Sequence, residues 1–383
     1  MKFCNQTLVK VVLLLLAVGA IPLRLCAQYV ITNNDVYRAG NSASVFELTG
    51  SSLKEIAALN TTGWGIGGGF FGTSAQAIAT VGSRVCVFIA DPGSDDIAAF
   101  TATATSASLV GNFNDPTGSG AYSGIALAVH GSTLYAGYSA SVNIGVWAIN
   151  PNCSLTVANS AANTPSWAPV DNLAVSPDGK TLVVTYGYQN ADTFAISGTT
   201  LTEKGPFPTK GYTAGIDITK DSKLAVFGDF SCCYTEFEFL HINSDSTLGV
   251  SDFYNESQGG QDSNNVWISP DQTRLFVSNN VSLSVTTLIF DEFGSPGEKV
   301  LFDCVTPLHN PGTLLYAGGI ATRGSASEGG YLYVTEVGNP ASIAVLQIPQ
   351  GGCPAEVSGS PFINTAGSSQ WPVTLAVYPP RAF

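Results

Sequence analysis

One unit of apolar and polar positions recurs along the chain about every fifty residues. It runs as an apolar stretch, a tight turn, a second apolar stretch, a polar loop and two further alternating stretches. The two clearest copies are Leu173-Ala-Val-Ser-Pro-Asp-Gly-Lys-Thr-Leu-Val-Val-Thr185 and Val266-Trp-Ile-Ser-Pro-Asp-Gln-Thr-Arg-Leu-Phe-Val-Ser278. Short runs that are apolar throughout, or that alternate with a period of two, are those of buried and half-buried strands. A long period made only of strands predicts small sheets stacked around an axis, an all-β propeller.

The second strand of each unit begins near Tyr29, Val85, Leu134, Leu182, Leu224, Leu275 and Leu332. The turns before it read Gly82-Ser83, Gly131-Ser132, Ser176-Pro177-Asp178-Gly179, Lys220-Asp221-Ser222 and Ser269-Pro270-Asp271-Gln272. Proline presets the first central turn position and Asp and Gly favour the next two, so these are hairpin turns. Third strands are expected over Ala43 to Leu48, Ile97 to Thr101, Gly145 to Ile149, Asp192 to Ile196, Glu236 to Leu240, Val285 to Phe290 and Ile343 to Ile348.

No inner strand precedes Tyr29, while Val373 to Tyr378 is a spare strand at the other end. Pairing the two closes a ring of seven four-stranded antiparallel blades and removes two exposed sheet edges. Six or eight blades would require a miscounted copy. A tandem of sandwiches would leave no such orphan and gap, and a β-helix repeat is usually shorter. The domain therefore spans 28–383.

Several second-strand segments carry a more specific signature: Tyr29-Val-Ile-Thr-Asn33, Leu182-Val-Val-Thr185, Leu275-Phe-Val-Ser-Asn279 and Leu332-Tyr-Val-Thr335. Together with the Ser-Pro-Asp-Gly turns they resemble YVTN repeats, and the chain from Tyr29 to Tyr378 is similar to the lactonase-like seven-bladed propellers. That resemblance implies the fold. It also implies two activity classes, since members include sugar lactonases such as 6-phosphogluconolactonases, lactone-forming enzymes and exported proteins without known chemistry.

Residues 1–27 read as a secretory signal, with Lys2 and Lys10 ahead of the apolar run Val11 to Val18 and cleavage expected near Ala27. Pro22 and Arg24 cut that run short of the ~18 residues a membrane span requires. Cys26 raises a lipoprotein alternative, which Arg24 and Leu25 disfavour. The expected protein is secreted or periplasmic, without a membrane span and monomeric. After residue 27 it carries 12 Lys and Arg against 28 Asp and Glu, a net charge of −16. Such a surface argues against nucleic acid and anionic membranes as partners. Six cysteines remain: Cys86, Cys153, Cys232, Cys233, Cys304 and Cys353. An oxidising compartment permits disulfides between them, and the sequence leaves the pairing open, including a Cys232–Cys233 bridge.

In such blades the second-to-third strand loops share one end with the inter-blade connections, and ligands usually sit at that mouth of the channel. The residues leading into the inner strands are Gln76, Tyr122, Ser123, Asp171, Asn172, Tyr212, Asn264, Asn265, Gln370 and Trp371. Amides and aromatic faces suit a carbohydrate or another protein; as strand-end caps they would bond backbone instead. Lactone opening needs a base or metal to activate water and a donor for the developing oxyanion. The resemblance places His and Arg at the mouth of enzymatic relatives. Here only His309, among three histidines, falls in a connection toward that end; His130 and His241 do not, and Arg323 and Glu328 belong to the last blade's first hairpin.

Gly63 to Gly72 is glycine-rich, but no helix pattern follows it to make a phosphate loop, so it reads as an inter-blade connection or aromatic flap. Asp91, Asp95 and Asp96 offer clustered oxygens to a structural Ca²⁺, or form a solvated turn. No other cofactor is expected, and no G-x-S-x-G elbow occurs. The reading that follows is a non-catalytic binding or scaffold propeller, with a lactonase-like hydrolase as the alternative.

Overall fold

Each repeated unit becomes one antiparallel sheet, and the described strands form seven of them. This computed structural model describes residues 28–36, 40–67, 75–103, 106–116, 124–141, 143–163, 169–230, 233–290, 300–309, 313–364, 374–379 and 381. Blade 4 shows the plan: inner strand Asn172–Val175, second strand Thr181–Thr185, third strand Asn190–Ser197 and outer strand Thr200–Pro208. Blade 7 departs from it, because its outer position is made of two short pieces, Ala355–Glu356 and Phe362–Ile363, that pair with one third strand.

The ring closes as the sequence predicts. Leu375–Tyr378 is the inner strand of blade 1 and pairs antiparallel with Tyr29–Asn33, with Tyr29 opposite Tyr378 and Thr32 opposite Leu375. The other inner strands are Gln76–Val81, Ile125–His130, Asn172–Val175, Tyr212–Ile218, Ser263–Ile268 and Thr313–Arg323.

Turn chemistry explains three of the first hairpins. Ser176, Thr219 and Ser269 each donate a hydroxyl to an aspartate two residues on, at 2.7 Å. The same hydroxyls accept the backbone N–H of Thr181, Leu224 and Arg274. The residue after the aspartate is left-handed in all three, with φ of 71° at Gly179, 63° at Ser222 and 58° at Gln272. Glycine suits that position best, so blades 5 and 6 tolerate backbone strain that blade 4 avoids.

The core is divided. Among the described residues there are seven apolar clusters, each shared by two neighbouring blades. Between blades 2 and 3, Phe88, Ile97, Leu134 and Trp147 belong to one cluster. Between blades 7 and 1, Val30, Phe46, Tyr333 and Val345 belong to another. Second strands are therefore buried on both faces and read as unbroken apolar runs.

The polar residue ending each of several second strands ties a blade to its neighbour. Asn33 donates to the carbonyls of Ala75 and Ala90 in blade 2. Ser139 donates to Val170, and Thr185 to Ala214 at 2.8 Å. These side chains thereby hydrogen-bond across the blade boundary to buried backbone. Two disulfides add covalent ties: Cys86–Cys153 joins blades 2 and 3, and Cys304–Cys353 joins blades 6 and 7. Cys233 is also disulfide-bonded; Cys232 lies outside the described residues.

Candidate functional site: the central channel

The inner strands of all seven blades surround one cavity of about 300 Å³. Most of its wall is aliphatic, from Ile78, Leu127, Val129, Ile216, Val266 and Ile320. Gln76, Asn172 and Asn265 bring amide groups, Thr322 a hydroxyl and Trp267 an indole. Arg381 is the one charged side chain among the described residues lining it.

Among the expected mouth residues, Gln76, Asn172 and Asn265 thus meet at the cavity. The Gln76 amide oxygen accepts the Thr374 hydroxyl from blade 1. The Asn172 side chain accepts the N–H of Leu173 at 2.7 Å, so this amide also caps its own strand. Asn264 and Asn265 sit where blades 5 and 6 approach most closely. A Cβ on Gly215 would lie 2.6 Å from Asn265 Oδ1, and one on Gly228 would lie 2.6 Å from the Asn264 carbonyl. Both positions must be glycine for the mouth to keep this width.

The other candidates do not line the cavity. Asp171 is wholly buried, with its N–H on the Thr185 carbonyl. Tyr212 is half exposed at the start of blade 5's inner strand. His309 is exposed, and its backbone N–H donates to Glu356 Oε1 at 2.6 Å, beside the outer strand of blade 7. Tyr122, Gln370 and Trp371 lie outside the described residues, as does the stretch 68–72 of the glycine-rich segment. Glu328 caps a short 3₁₀ turn in the last blade's first hairpin, accepting the Ser325 N–H.

Of the three aspartates considered for Ca²⁺, Asp91 and Asp96 stand opposite one another across a hairpin and bond to neighbouring side chains. Asp91 Oδ1 accepts from Asn41 and Thr61, both at 2.8 Å, and Asp96 Oδ1 accepts from Asn112 at 2.7 Å. Burial and the nearby Asp96 charge hold the Asp91 carboxyl well above the usual carboxylate range. Among the described residues, no group of three or more His, Cys, Asp or Glu is arranged to hold a metal ion.

Three residues that sequence reasoning passed over make the lower end of the channel. Arg381, just beyond the ring-closing strand, reaches from blade 1 across to blades 5 and 6. Its guanidinium meets Asp217 through two bonds, Nη2 to Oδ1 at 2.5 Å and Nη1 to Oδ2 at 2.8 Å. Nη1 also donates to the Ile268 carbonyl at 2.6 Å, while the Ile268 N–H donates to Asp217 Oδ2 at 2.7 Å. The guanidinium lies 4.6 Å from the centre of the Trp267 ring, a cation–π distance. Trp267 Nε1 in turn donates to Thr322 Oγ1 at 2.8 Å. Both charged side chains are only 8% exposed, which makes this a desolvated, fork-to-fork pair. One signal was available: Asp217 is a carboxylate on a strand otherwise apolar at its end, Ala-Gly-Ile-Asp-Ile218.

Fold and channel together define a seven-bladed propeller with a cavity on its axis whose one charged lining group among the described residues is paired. No family model matches the chain, and no curated protein does. Solved structures do resemble it. A protein of Bacteroides fragilis, provisionally named a 6-phosphogluconolactonase, superposes with a TM-score of 0.66 at 15% identity, over 93% of this chain and 99% of that one. The periplasmic gluconolactonase of Pseudomonas aeruginosa gives 0.68 at 13% identity, over 91% and 99%. A protein of unknown function from Desulfotomaculum acetoxidans gives 0.66 at 13%, over 92% and 99%. At such identities the likeness is one of fold, which these three share irrespective of activity.

Proposed function

We propose that this chain is an exported binding module that takes a neutral polar ligand, of carbohydrate kind, into the channel from the mouth, without catalysis. The observation that carries the reading is the cavity wall. Amides of Gln76, Asn172 and Asn265 stand among aliphatic side chains and an indole, and the one charged lining group is already paired. Amides exchange hydrogen bonds with sugar hydroxyls, and apolar walls cover the C–H faces of the ring. Export is supported by the leader-like 1–27 and by the disulfides, which persist in oxidising compartments.

Titration calorimetry of residues 28–383 against neutral mono- and oligosaccharides tests it. Saturable binding weakened at least tenfold by Gln76→Ala or Asn172→Ala is the expected result; no binding across such a panel would refute the reading.

A second reading is favoured by the names of two of the similar structures: hydrolysis of a sugar lactone. It requires a base near the cavity, and the one histidine toward that end, His309, is beside Glu356 at the ring's rim. Turnover of gluconolactone in a pH-stat, abolished by substitutions in the cavity wall, would establish this reading over the first.

A further inference from the structure

We infer that Arg381, beyond the ring-closing strand, makes the channel a blind pocket by forming its floor, and that the Asp217–Arg381 pairing restricts the pocket to ligands without phosphate. The inference rests on the channel being the ligand site proposed above and names the ligand class more closely.

The ring-closing strand ends at Tyr378, at the end of the inner strands away from the mouth. Three residues later Arg381 has crossed the axis to blades 5 and 6, where four groups hold it: both oxygens of Asp217, the Ile268 carbonyl and the face of Trp267. It both lines the cavity and is 8% exposed, so it closes the lower opening rather than hanging beside it.

Charge then decides what the pocket accepts. A phosphate entering a low-dielectric cavity needs cationic or donor partners to replace its hydration. The described wall supplies one cation, and its fork is already filled by a carboxylate of matching geometry. A phosphate there would lie beside Asp217 as well as Arg381, and the two charges offset one another. A neutral sugar meets no such penalty.

The prediction inverts on substitution. Asp217→Asn keeps the side-chain shape but frees the guanidinium. Thermal unfolding of residues 28–383 would be followed with inorganic phosphate and with glucose 6-phosphate, against sodium chloride of equal ionic strength. Wild type is expected to show no phosphate-specific rise in Tm, and Asp217→Asn a saturable one with at least tenfold tighter apparent binding. Adding Arg381→Gln to that variant should remove it. Phosphate-specific stabilisation of wild type, or none in folded Asp217→Asn, overturns the charge argument.

Oxidative footprinting of Trp267 reads the floor independently of any ligand, and serves if Asp217→Asn does not fold. Its modification should be several-fold faster in Arg381→Gln, or after removal of 379–383, than in wild type; equal rates would mean that the tail does not close the channel. These readouts use no neutral sugar, so failure of the carbohydrate reading and failure of the floor remain distinguishable.

Discussion

At the floor of the channel Asp217 is buried against a guanidinium that grips both of its oxygens. Around the mouth end, on or beside the second-to-third strand hairpins, Asp91, Asp192, Asp229 and Glu336 are buried, and no cation of the described residues figures among the groups that shift them. One residue type is thus kept in two ways. The floor holds a charge by pairing it, whereas the mouth-end carboxyls are pushed toward the neutral form because burial outweighs any hydrogen bonds they accept. The floor is accordingly a fixed electrostatic tie across the ring, and the mouth end a collar of carboxyls that favour their protons.

The largest effect should come from breaking the floor pair one member at a time. Arg381→Ala leaves Asp217 buried without its cation, held by the N–H groups of Ile218 and Ile268, and Asp217→Ala leaves the guanidinium with a carbonyl and a ring. Each is expected to lower the unfolding free energy by about 3–5 kcal/mol, since the surviving charge has no partner and little water. Replacing both, Asp217→Leu with Arg381→Met, should recover most of that loss. Urea unfolding of the four proteins checks it. A simple sum of the two single effects in the double variant would mean that the groups act independently, and the comparison of the two ends would collapse.

The walls of the molecule were legible in the sequence and its axis was not. Each second strand is packed against neighbours on both faces, so its residues must be apolar in every blade, and the hairpin before it must turn in the same way. Ser176, Thr219 and Ser269 repeat one turn for that reason. The ring-closing strand was visible because a missing strand at one end matched a spare one at the other. Contacts across the axis leave no such trace. Asp217 and Arg381 are 164 residues apart and occur once each. Trp267 sits within one of the two clearest repeat copies, yet its side chain lines the cavity as well as packing against the inter-blade core. Gln76, Asn172 and Asn265 were found because position alone, the start of an inner strand, brings a residue to the mouth. His309 met the same loop criterion but is exposed beside Glu356 of blade 7's outer strand.

The next effect lies in the pH dependence of the collar. Burial raises Asp192 to about 7, with the Glu203 charge adding to it, and raises Glu336 to about 8, with Glu356 adding to it. Asp229 is held well above the usual range by burial and by Glu238 and Glu236. In the unfolded chain these groups ionise near pH 4. Their contribution is therefore complete below pH 4, falls as pH rises because the unfolded state releases protons first, and is gone above their folded values. Asp178 is shifted the other way, by Ser176 and Lys180, and contributes only above pH 4. Stability should thus be greatest near pH 4 and decline toward pH 8. Glu336→Gln should flatten that decline by up to about 1.4 kcal/mol per pH unit between pH 5 and 8. Unfolding free energies measured across that range decide it; an unchanged slope would mean that Glu336 is already ionised and that the collar resembles the floor.

The smallest effect tests the mouth where it depends on the absence of a side chain. Gly215 lets blade 5 approach blade 6 so closely that a Cβ would meet Asn265 Oδ1 at 2.6 Å, Asn265 Cα at 2.7 Å and the Asn264 carbonyl at 2.9 Å. Two of these neighbours are backbone and cannot swing away, so Gly215→Ala must push the strands apart at a cost of about 1–3 kcal/mol. The displaced residue is Asn265, one of the three amides on the cavity wall, so saccharide binding should weaken along with stability. The floor lies at the other end of these strands, and Trp267 footprinting should remain that of wild type. Exposure of Trp267 in Gly215→Ala would show that mouth and floor move as one body; protection, with binding lost, would show that recognition and closure are separable properties of the two ends.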